Sequence, residues 1–218
     1  VYEMYYLLQG EARYLIGDEI FPVHSSDMVL IPKGILHKTT YPRDEIAERV
    51  LISFSEDLLI TGFDRRIISV PPGIRFTVDE IIRKIEAESV SSEENSQLLI
   101  KLYVNELLVT LGRIKHKPPG TIDGNDAVIQ SAVKYINREF DSDLSLISIS
   151  KRFAMSESCF SGKFKEISGF GFNEYLTLVR ILNAERLLAE TAKSVTDVAI
   201  SCGYNDSNYF ASVFKKHK

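Results

Sequence analysis

The sequence predicts an α+β protein of two domains, in which a strand-rich first domain is followed by a helical second domain. Up to about residue 55, short runs of β-branched and aromatic residues alternate with Gly, Pro and Asp, which is typical of a sandwich or barrel. From residue 77 the apolar residues recur three and four positions apart, the period of amphipathic helices. Residues 117–125, rich in Pro, Gly and polar residues, are the predicted linker between domains 1–116 and 126–218.

The composition indicates a globular chain, since 44 % of the residues are hydrophobic and 26 % are charged. No apolar run approaches the roughly 18 residues of a membrane helix, and the chain does not begin with a basic and apolar leader. The 2 cysteines give no disulfide framework. We therefore expect a cytoplasmic protein without a membrane partner.

The net charge of −4 is divided unevenly between the two predicted domains. Residues 126–218 contain 12 Lys and Arg against 11 Asp and Glu, a balance of +1, so the first 125 residues carry −5. The acidic character therefore belongs to the first domain, and the overall charge does not argue against a nucleic-acid-binding second domain.

The first domain is predicted to contain strands at residues 2–8, 12–16, 28–31 and 49–54, punctuated by turn residues. Two amphipathic helices follow, with a break at residues 89–92.

The second of these helices carries a Leu-rich stripe from Leu98 to Leu111. We expect the two helices, within residues 77–116, to form a homodimer surface. The alternative is that the stripe packs only on the strands of its own domain.

The second domain reads as six helices, and its second and third helices repeat as its fifth and sixth. The fourth, long helix is predicted at residues 172–190 and separates the two copies. Each copy is a helix, a tight turn and a second helix. The matching positions are Leu146, Ile149, Ser150 and Phe153 with Val195, Val198, Ala199 and Cys202 at an offset of 49, and Phe160, Phe164 and Lys165 with Phe210, Phe214 and Lys215 at an offset of 50.

The residue types at the turns explain the repeat physically. Gly203 can adopt a positive φ, and Ser156 or Asp206 can cap the incoming helix. Ser194 and Asp197 have the spacing of a capping box at the start of the fifth helix. The aromatic face of each second helix is then buried, and its opposite face is free to enter a DNA major groove.

The stretch from about residue 128 to residue 218 resembles the DNA-binding domain of AraC/XylS-type transcription regulators. The resemblance rests on motifs that follow in order over some ninety residues. They include Glu174-Tyr175-Leu176, Arg180, Ala184, Leu187-Leu188, Val198-Ala199, Cys202-Gly203-Tyr204, Asn208-Tyr209-Phe210 and Val213-Phe214-Lys215-Lys216.

This resemblance implies that the partner is double-stranded DNA and that the second helix of each unit contacts it. Family members often place Arg where this chain has Gly162 and Ser212, so we expect little direct base readout and a dependence on dimerisation. The base-contacting positions implied by the resemblance are Ser158, Ser161, Gly162, Ser207, Asn208 and Ser212, and the predicted phosphate contacts are Lys163, Lys165 and Lys215.

Two segments of the first domain resemble the signatures of a cupin β-barrel. One runs from Glu3 to Gly10, and the other from Pro32 to His37. Metal-bearing cupins place two histidines just before this Glu, and the sequence begins too late to include them, so we expect no metal and no cofactor.

A cupin-like barrel in front of an AraC-type domain implies a small polar effector, with a sugar or related metabolite as the expected class. Aromatic faces stack on the apolar faces of sugars, while charged and polar groups fix hydroxyls or carboxylates. The candidate effector-binding residues are Glu3, Tyr5, Arg13, His37 and Tyr41.

The predicted function is therefore that of an effector-responsive, sequence-specific DNA-binding transcription regulator, which is not an enzyme. RNA polymerase is a further expected partner. The alternative is a metal-dependent cupin enzyme, such as a sugar isomerase or oxygenase, with an appended helical domain. Compared with the family, the sequence starts without Met and stops before the positions that usually follow the last helix, so we expect both termini to be trimmed.

Overall fold

The computed structural model describes residues 1–42, 46–58, 67–114 and 124–217, with the side chain of Asn125 excepted. The predicted linker, residues 117–125, falls mostly outside these ranges. Within the described ranges no helix is long and apolar enough to span a membrane.

The first part of the chain forms seven strands within the described residues. The four predicted strands are confirmed, and three further strands were not predicted. The strands are β1 (Tyr2–Gln9), β2 (Glu11–Ile16), β3 (Glu19–His24), β4 (Asp27–Ile31), β5 (His37–Thr40), β6 (Glu48–Phe54) and β7 (Ile67–Ser69).

These strands make two sheets, one with the order β6-β1-β4-β7 and the other with the order β3-β2-β5. In the first sheet β1 runs antiparallel to both β4 and β6, with Tyr5 opposite Val29 and Leu51. The α+β fold class is confirmed, but in the described ranges the barrel takes the form of two sheets and is not closed.

Two helices, α1 (Pro72–Ser89) and α2 (Ser96–Gly112), follow the strands as predicted, although α1 begins five residues earlier than the periodicity indicated. Proline is favoured in the first turn of a helix because its missing N–H would have no intrahelical partner there. The side chains of Met4 and Tyr6 on β1 pack against both helices in one core. The Tyr6 hydroxyl also donates a hydrogen bond to Asp79 Oδ1 at 2.8 Å.

The chain divides into two compact units. The first contains residues 1–13, 21–35 and the described part of 41–121. The second contains residues 14–20 and 36–40 together with the described part of 122–218.

The second unit contains all six predicted helices, and one of them matches its predicted bounds at both ends. The helices are α3 (Gly124–Arg138), α4 (Leu146–Arg152), α5 (Glu157–Ser168), α6 (Phe172–Glu190), α7 (Val195–Ser201) and α8 (Ser207–Lys216). They enclose two apolar clusters. One is formed by α3, α4, α5 and the first part of α6, and the other by the later part of α6 with α7 and α8.

The short strand segments of the second unit complete the first of these clusters. Leu15 and Ile20 are buried among the side chains of α3, α5 and α6, and Leu36 packs against the same cluster. The Gln130 side chain on α3 holds the β2–β3 turn at both ends: its amide N–H donates to Asp18 O at 2.8 Å, and its carbonyl accepts from the Ile20 N–H. The hydroxyl of Tyr175 on α6 donates to Gly17 O at 3.2 Å.

Candidate nucleic-acid interface

The first helix-turn-helix unit consists of α4, a turn at residues 153–156, and α5. A capping box starts α4, because Ser145 Oγ accepts from the Ser148 N–H at 3.1 Å while Ser148 Oγ accepts from the Ser145 N–H at 3.0 Å. The predicted cap of α5 is confirmed, since Ser156 Oγ accepts from the Cys159 N–H at 3.3 Å. The second helix of each unit, α5 or α8, is its candidate recognition helix.

The second helix-turn-helix unit, α7 to α8, also has a side-chain cap at the start of each helix. Ser194 Oγ accepts from the Asp197 N–H at 3.2 Å and also donates to Asp197 Oδ2 at 2.6 Å. The recognition helix α8 begins after Asp206, whose Oδ1 accepts from the N–H groups of Asn208 at 2.7 Å and Tyr209 at 3.0 Å. The start of α8 is therefore fixed by a charged cap at the positive end of the helix dipole.

The turns of the two helix-turn-helix units each contain one residue in the left-handed backbone conformation, at equivalent positions. Gly203 has φ of +77°, as predicted, and Ala154 has φ of +52°. A positive φ costs a residue with a Cβ about 1 kcal/mol that glycine does not lose. The repeat therefore extends to the backbone, and the first turn is the more strained of the two.

Each recognition helix buries an aromatic face and exposes the opposite face. Phe160 and Phe164 of α5 are fully buried, as is Phe210 of α8, while Phe214 is half-buried. Of the predicted DNA-contacting residues, Ser158, Gly162, Lys165, Asn208, Ser212 and Lys215 are exposed, and Ser161, Lys163 and Ser207 are half-buried.

The two recognition helices expose equivalent positions. The residues lie four and seven positions after the first member on each helix, which places them on one side of it. The equivalent pairs are Ser158 with Asn208, Gly162 with Ser212, and Lys165 with Lys215.

The chemistry of these faces is polar and weakly basic. Ser212 donates its hydroxyl proton to Tyr209 O at 2.8 Å, which leaves its oxygen lone pairs to accept a hydrogen bond. A Cβ at Gly162 would meet nothing within 4 Å, so that point of α5 is an open gap in the surface. Burial raises the pKa of the Cys202 thiol and of the Tyr204 hydroxyl behind α8, so both are neutral at physiological pH and add no negative charge.

Sequence reasoning missed two residues in this region. Tyr209, at the start of α8, is 62 % exposed and lies beside the face that carries Asn208. Arg180, at the middle of α6, was predicted only as a motif residue of the family resemblance. An aromatic residue three positions after the N-cap Asp206 was the available signal for Tyr209, but no sequence signal reveals the contacts of Arg180.

Two candidate effector residues of the first compact unit, Glu3 and Tyr5, lie on one face of β1. Tyr5 donates its hydroxyl hydrogen bond to Glu3 Oε2 at 2.6 Å. The guanidinium of Arg49 lies 4.9 Å from the centre of the Tyr5 ring and 5.8 Å from that of Tyr41. The structure therefore brings Glu3, Tyr5 and Tyr41 together around a residue that was not predicted.

The register explains why Arg49 belongs to this group, since it lies opposite Leu7 on the β1 face that also presents Glu3 and Tyr5. Arg13 is half-buried on β2 in the same unit. His37 is half-buried at the start of β5 and belongs to the second unit. No group of three or more His, Cys, Asp or Glu side chains within the described ranges is placed to hold a metal ion.

A helix-turn-helix domain model matches residues 149–218. The HTH-type transcriptional activator RhaR of Mannheimia succiniciproducens is 23 % identical over 98 % of this chain and 80 % of its own length. An uncharacterised HTH-type transcriptional regulator of Staphylococcus aureus is 28 % identical over 96 % of this chain, which spans only 29 % of that relative.

Two solved structures are similar to the C-terminal part. The C-terminal domain of AraT, a response regulator from Geobacillus stearothermophilus, is 31 % identical over 41 % of this chain and 74 % of that one, with a TM-score of 0.40. The DNA-binding domain of AdpA in complex with a target DNA is 24 % identical over 40 % of this chain and 79 % of that one, with a TM-score of 0.40.

The doubled helix-turn-helix with its matching exposed faces agrees with the family model and with the relatives named as HTH-type regulators. Residues 149–218 therefore belong to a helix-turn-helix domain, and the chain is similar to AraC-type and other HTH-type transcription regulators.

Proposed function

We propose that this protein reads a specific DNA sequence by placing α5 and α8 in successive major grooves. The observation that carries the proposal is the equivalence of the exposed faces, because two rigidly capped helices present the same positions at the same helical phase. An α-helix fits the major groove, where each base pair offers a distinct pattern of donors and acceptors.

The residues on these faces differ in what they can read. The Asn208 carboxamide can pair with adenine through one donor and one acceptor. The Ser158 hydroxyl can accept or donate and the Ser212 hydroxyl can accept, both without strong base preference. Lys165 and Lys215 follow one turn later and supply the positive charge for phosphates. The second helix-turn-helix unit is therefore proposed to contribute more of the sequence specificity than the first helix-turn-helix unit.

Two variants separate base reading from phosphate contact. Asn208→Ala should weaken binding to a duplex selected from a randomised pool about tenfold or more and relax preference at one base pair. Lys165→Ala should weaken binding to all duplexes similarly and lower the salt slope by about 1. Glu190→Gln, at the far end of α6, is the control. Unchanged base preference in Asn208→Ala would contradict the proposed role of α8.

The effector is proposed to be a sugar or a sugar acid that binds on the β1 face of the first unit. The rings of Tyr5 and Tyr41 provide stacking surfaces, while Glu3 and Arg49 provide an acceptor and a cationic fork. The similarity to RhaR, which is named as an activator, is consistent with a regulator that responds to a signal.

Titration calorimetry with hexoses, pentoses and hexuronates tests this proposal. Arg49→Met should weaken a hexuronate more than the corresponding hexose, because only the hexuronate has a carboxylate to pair with the guanidinium. Lys33→Met, an exposed change in the same unit, is the control for lost positive charge. Equal binding of every sugar by wild type and Arg49→Met would contradict this site.

Strand β5, in the second compact unit, contacts the candidate recognition helix α5 directly. Thr40 Oγ1, on β5, donates to Ile167 O of the recognition helix α5 at 3.3 Å, and Lys38 Nζ lies 5.1 Å from the centre of the Phe170 ring. A Cβ at Gly169, the left-handed C-cap of α5, would overlap the Lys38 side chain. A displacement of β5 would therefore shift the C-terminal end of α5, and a ligand that prefers one of the two positions would change DNA affinity.

The second copy of the chain is proposed to pair through α2. The predicted Leu-rich stripe is divided by the structure: Val104, Leu107, Leu108 and Leu111 are buried in the core of the first unit. Leu98 and Leu102 remain 55 % exposed and Val109 40 % exposed, and with Asn105 they follow the 4-3-4 spacing of a coiled-coil seam. A seam of this spacing packs best against another seam of the same spacing, which favours a second copy of the chain as the occupant.

Sedimentation equilibrium tests this pairing. Leu102→Glu should shift a dimer to monomer, whereas Glu106→Gln on the same helix should leave the mass unchanged. A folded Leu102→Glu protein with the mass of wild type would exclude α2 as the dimer surface.

A further inference from the structure

Arg180 lies where the two apolar clusters of the second unit meet along α6. The first cluster uses α6 residues up to Val179, and the second begins at Ile181. Phe140, in the α3–α4 loop, is the side chain that packs against both clusters. The region around Arg180 is thus the junction between the two helix-turn-helix units.

The guanidinium of Arg180 binds the α3–α4 loop through two backbone oxygens. Nε donates to Phe140 O at 2.8 Å, and Nη2 donates to Ser142 O at 2.9 Å. Hydrogen bonds from a charged donor are stronger than those between neutral groups, and the planar fork fixes the direction of both. The loop that leads into the first unit is therefore fixed to the middle of α6.

The same guanidinium contacts the α7–α8 turn of the second helix-turn-helix unit. Its carbon lies 5.5 Å from the centre of the Tyr204 ring, and Tyr204 is buried. A Cβ at Gly203 would lie 2.8 Å from Asp141 O and 2.9 Å from Arg180 Nη2. The α7–α8 turn thus packs closely on the α3–α4 loop, with Arg180 between them.

We infer that Arg180 is a positioning residue that sets the angle between the two recognition helices and so determines the spacing of the two DNA contacts. The apolar clusters hold each unit on its own part of α6, but hydrophobic contact is non-directional. Arg180 adds two directional hydrogen bonds to the α3–α4 loop and packs against Gly203 and the Tyr204 ring at the α7–α8 turn. This inference rests on the proposed use of both recognition helices.

The test uses the full chain and duplexes selected by wild type from a randomised pool. One base pair is inserted or deleted between the two blocks of specified positions, and the dissociation constant is measured for each duplex. Arg180→Met removes these hydrogen bonds, and Arg180→Lys keeps the charge but loses the fork. Arg186→Met, an exposed position on the same helix that pairs with Glu190 at 3.9 Å, is the matched control.

Wild type and Arg186→Met should bind the original spacing best. Arg180→Met should bind it about tenfold more weakly and discriminate less between spacings, with an unchanged salt slope because no phosphate contact is lost. Arg180→Lys should lie between them; if Arg180→Met does not fold, as judged by circular dichroism, the Lys variant alone decides.

A folded Arg180 variant that retains the full spacing preference overturns the inference, and so does a loss of salt slope, which would mean direct phosphate contact. If wild type itself selects no pair of sequence blocks, the proposed use of both helices fails instead. The two failures are therefore distinguished by the wild-type result.

Discussion

The open position at Gly162 makes the first recognition helix weaker than its surroundings. Gly162 is in the interior of α5 and is exposed, and a Cβ built there meets nothing within 4 Å. A glycine in a helix interior costs about 1 kcal/mol relative to alanine, because its backbone loses more freedom on folding. Gly162→Ala should therefore remove this cost without any steric penalty.

The expected gain is about 0.5–1 kcal/mol in the free energy of unfolding. For a chain of this size that corresponds to a rise in Tm of about 2–4 °C per kcal/mol. The gain is local, so hydrogen exchange of the α5 amides should slow while the amides of α1 and α2 are unaffected.

Urea denaturation and hydrogen exchange of the full chain measure these two effects. Gly73→Ala is the matched control: it is also a helical glycine whose Cβ would meet nothing within 4 Å, but it lies in the first turn of α1. Gly73→Ala should not alter exchange in α5. A Gly162→Ala protein with unchanged or lower stability and unchanged α5 exchange would refute the argument that α5 is weakened by this residue.

Three further predictions concern a turn, a buried hydroxyl and a cap. Ala154→Gly, which gives the first turn the residue type of the second, should raise the unfolding free energy by about 1 kcal/mol by thermal denaturation, and a lower value would show that Ala154 is unstrained. Burial and the Asp79 hydrogen bond raise the pKa of Tyr6 to about 12, above the value of roughly 10 in an unfolded chain. The stability that wild type has over Tyr6→Phe should therefore be constant below pH ~10 and fall as the pH rises towards 12. A stability difference that does not change with pH would contradict this. Asp206→Ala should lose about 1 kcal/mol of stability and weaken DNA binding, whereas Asp206→Asn should retain most of both, and equal losses in the two variants would exclude the capping role.

The helices of the second unit could be predicted closely because their local signals agree with their packing. The bounds of α6 match at both ends, and the caps at Ser156 and Asp206 occupy their predicted places. Here the apolar period, the capping residues and the turn residues all indicate the same structure. The same local signals predicted which side of α5 and α8 is exposed, since the exposed side of a helix follows from its buried side, whereas the base-contacting positions on that side were implied by the family resemblance.

The strands were predicted less completely because their stability comes from partners that are distant in sequence. β5 reads His-Lys-Thr-Thr and has no apolar alternation, and it is paired in the β3-β2-β5 sheet and hydrogen-bonded to α5. The buried side chains of Leu15 and Ile20 could be predicted as core residues. That they complete the core of the second unit depends on tertiary contacts such as those of Gln130, which no local pattern encodes.

The roles of two arginines also depended on distances that only the structure provides. Arg49 begins a predicted strand, but its place beside Tyr5 and Tyr41 follows from the β1–β6 register. Arg180 belongs to a motif of the family resemblance, yet its inferred positioning role follows only from its bonds to Phe140 and Ser142.

Whether α5 and α8 read one DNA site together can be measured by selection from a randomised duplex pool followed by fluorescence anisotropy across a salt series. We expect two blocks of specified base pairs about one helical turn apart and a linear loss of log affinity with log salt. A single block, or binding that is equal for all sequences at every salt concentration, would contradict this expectation.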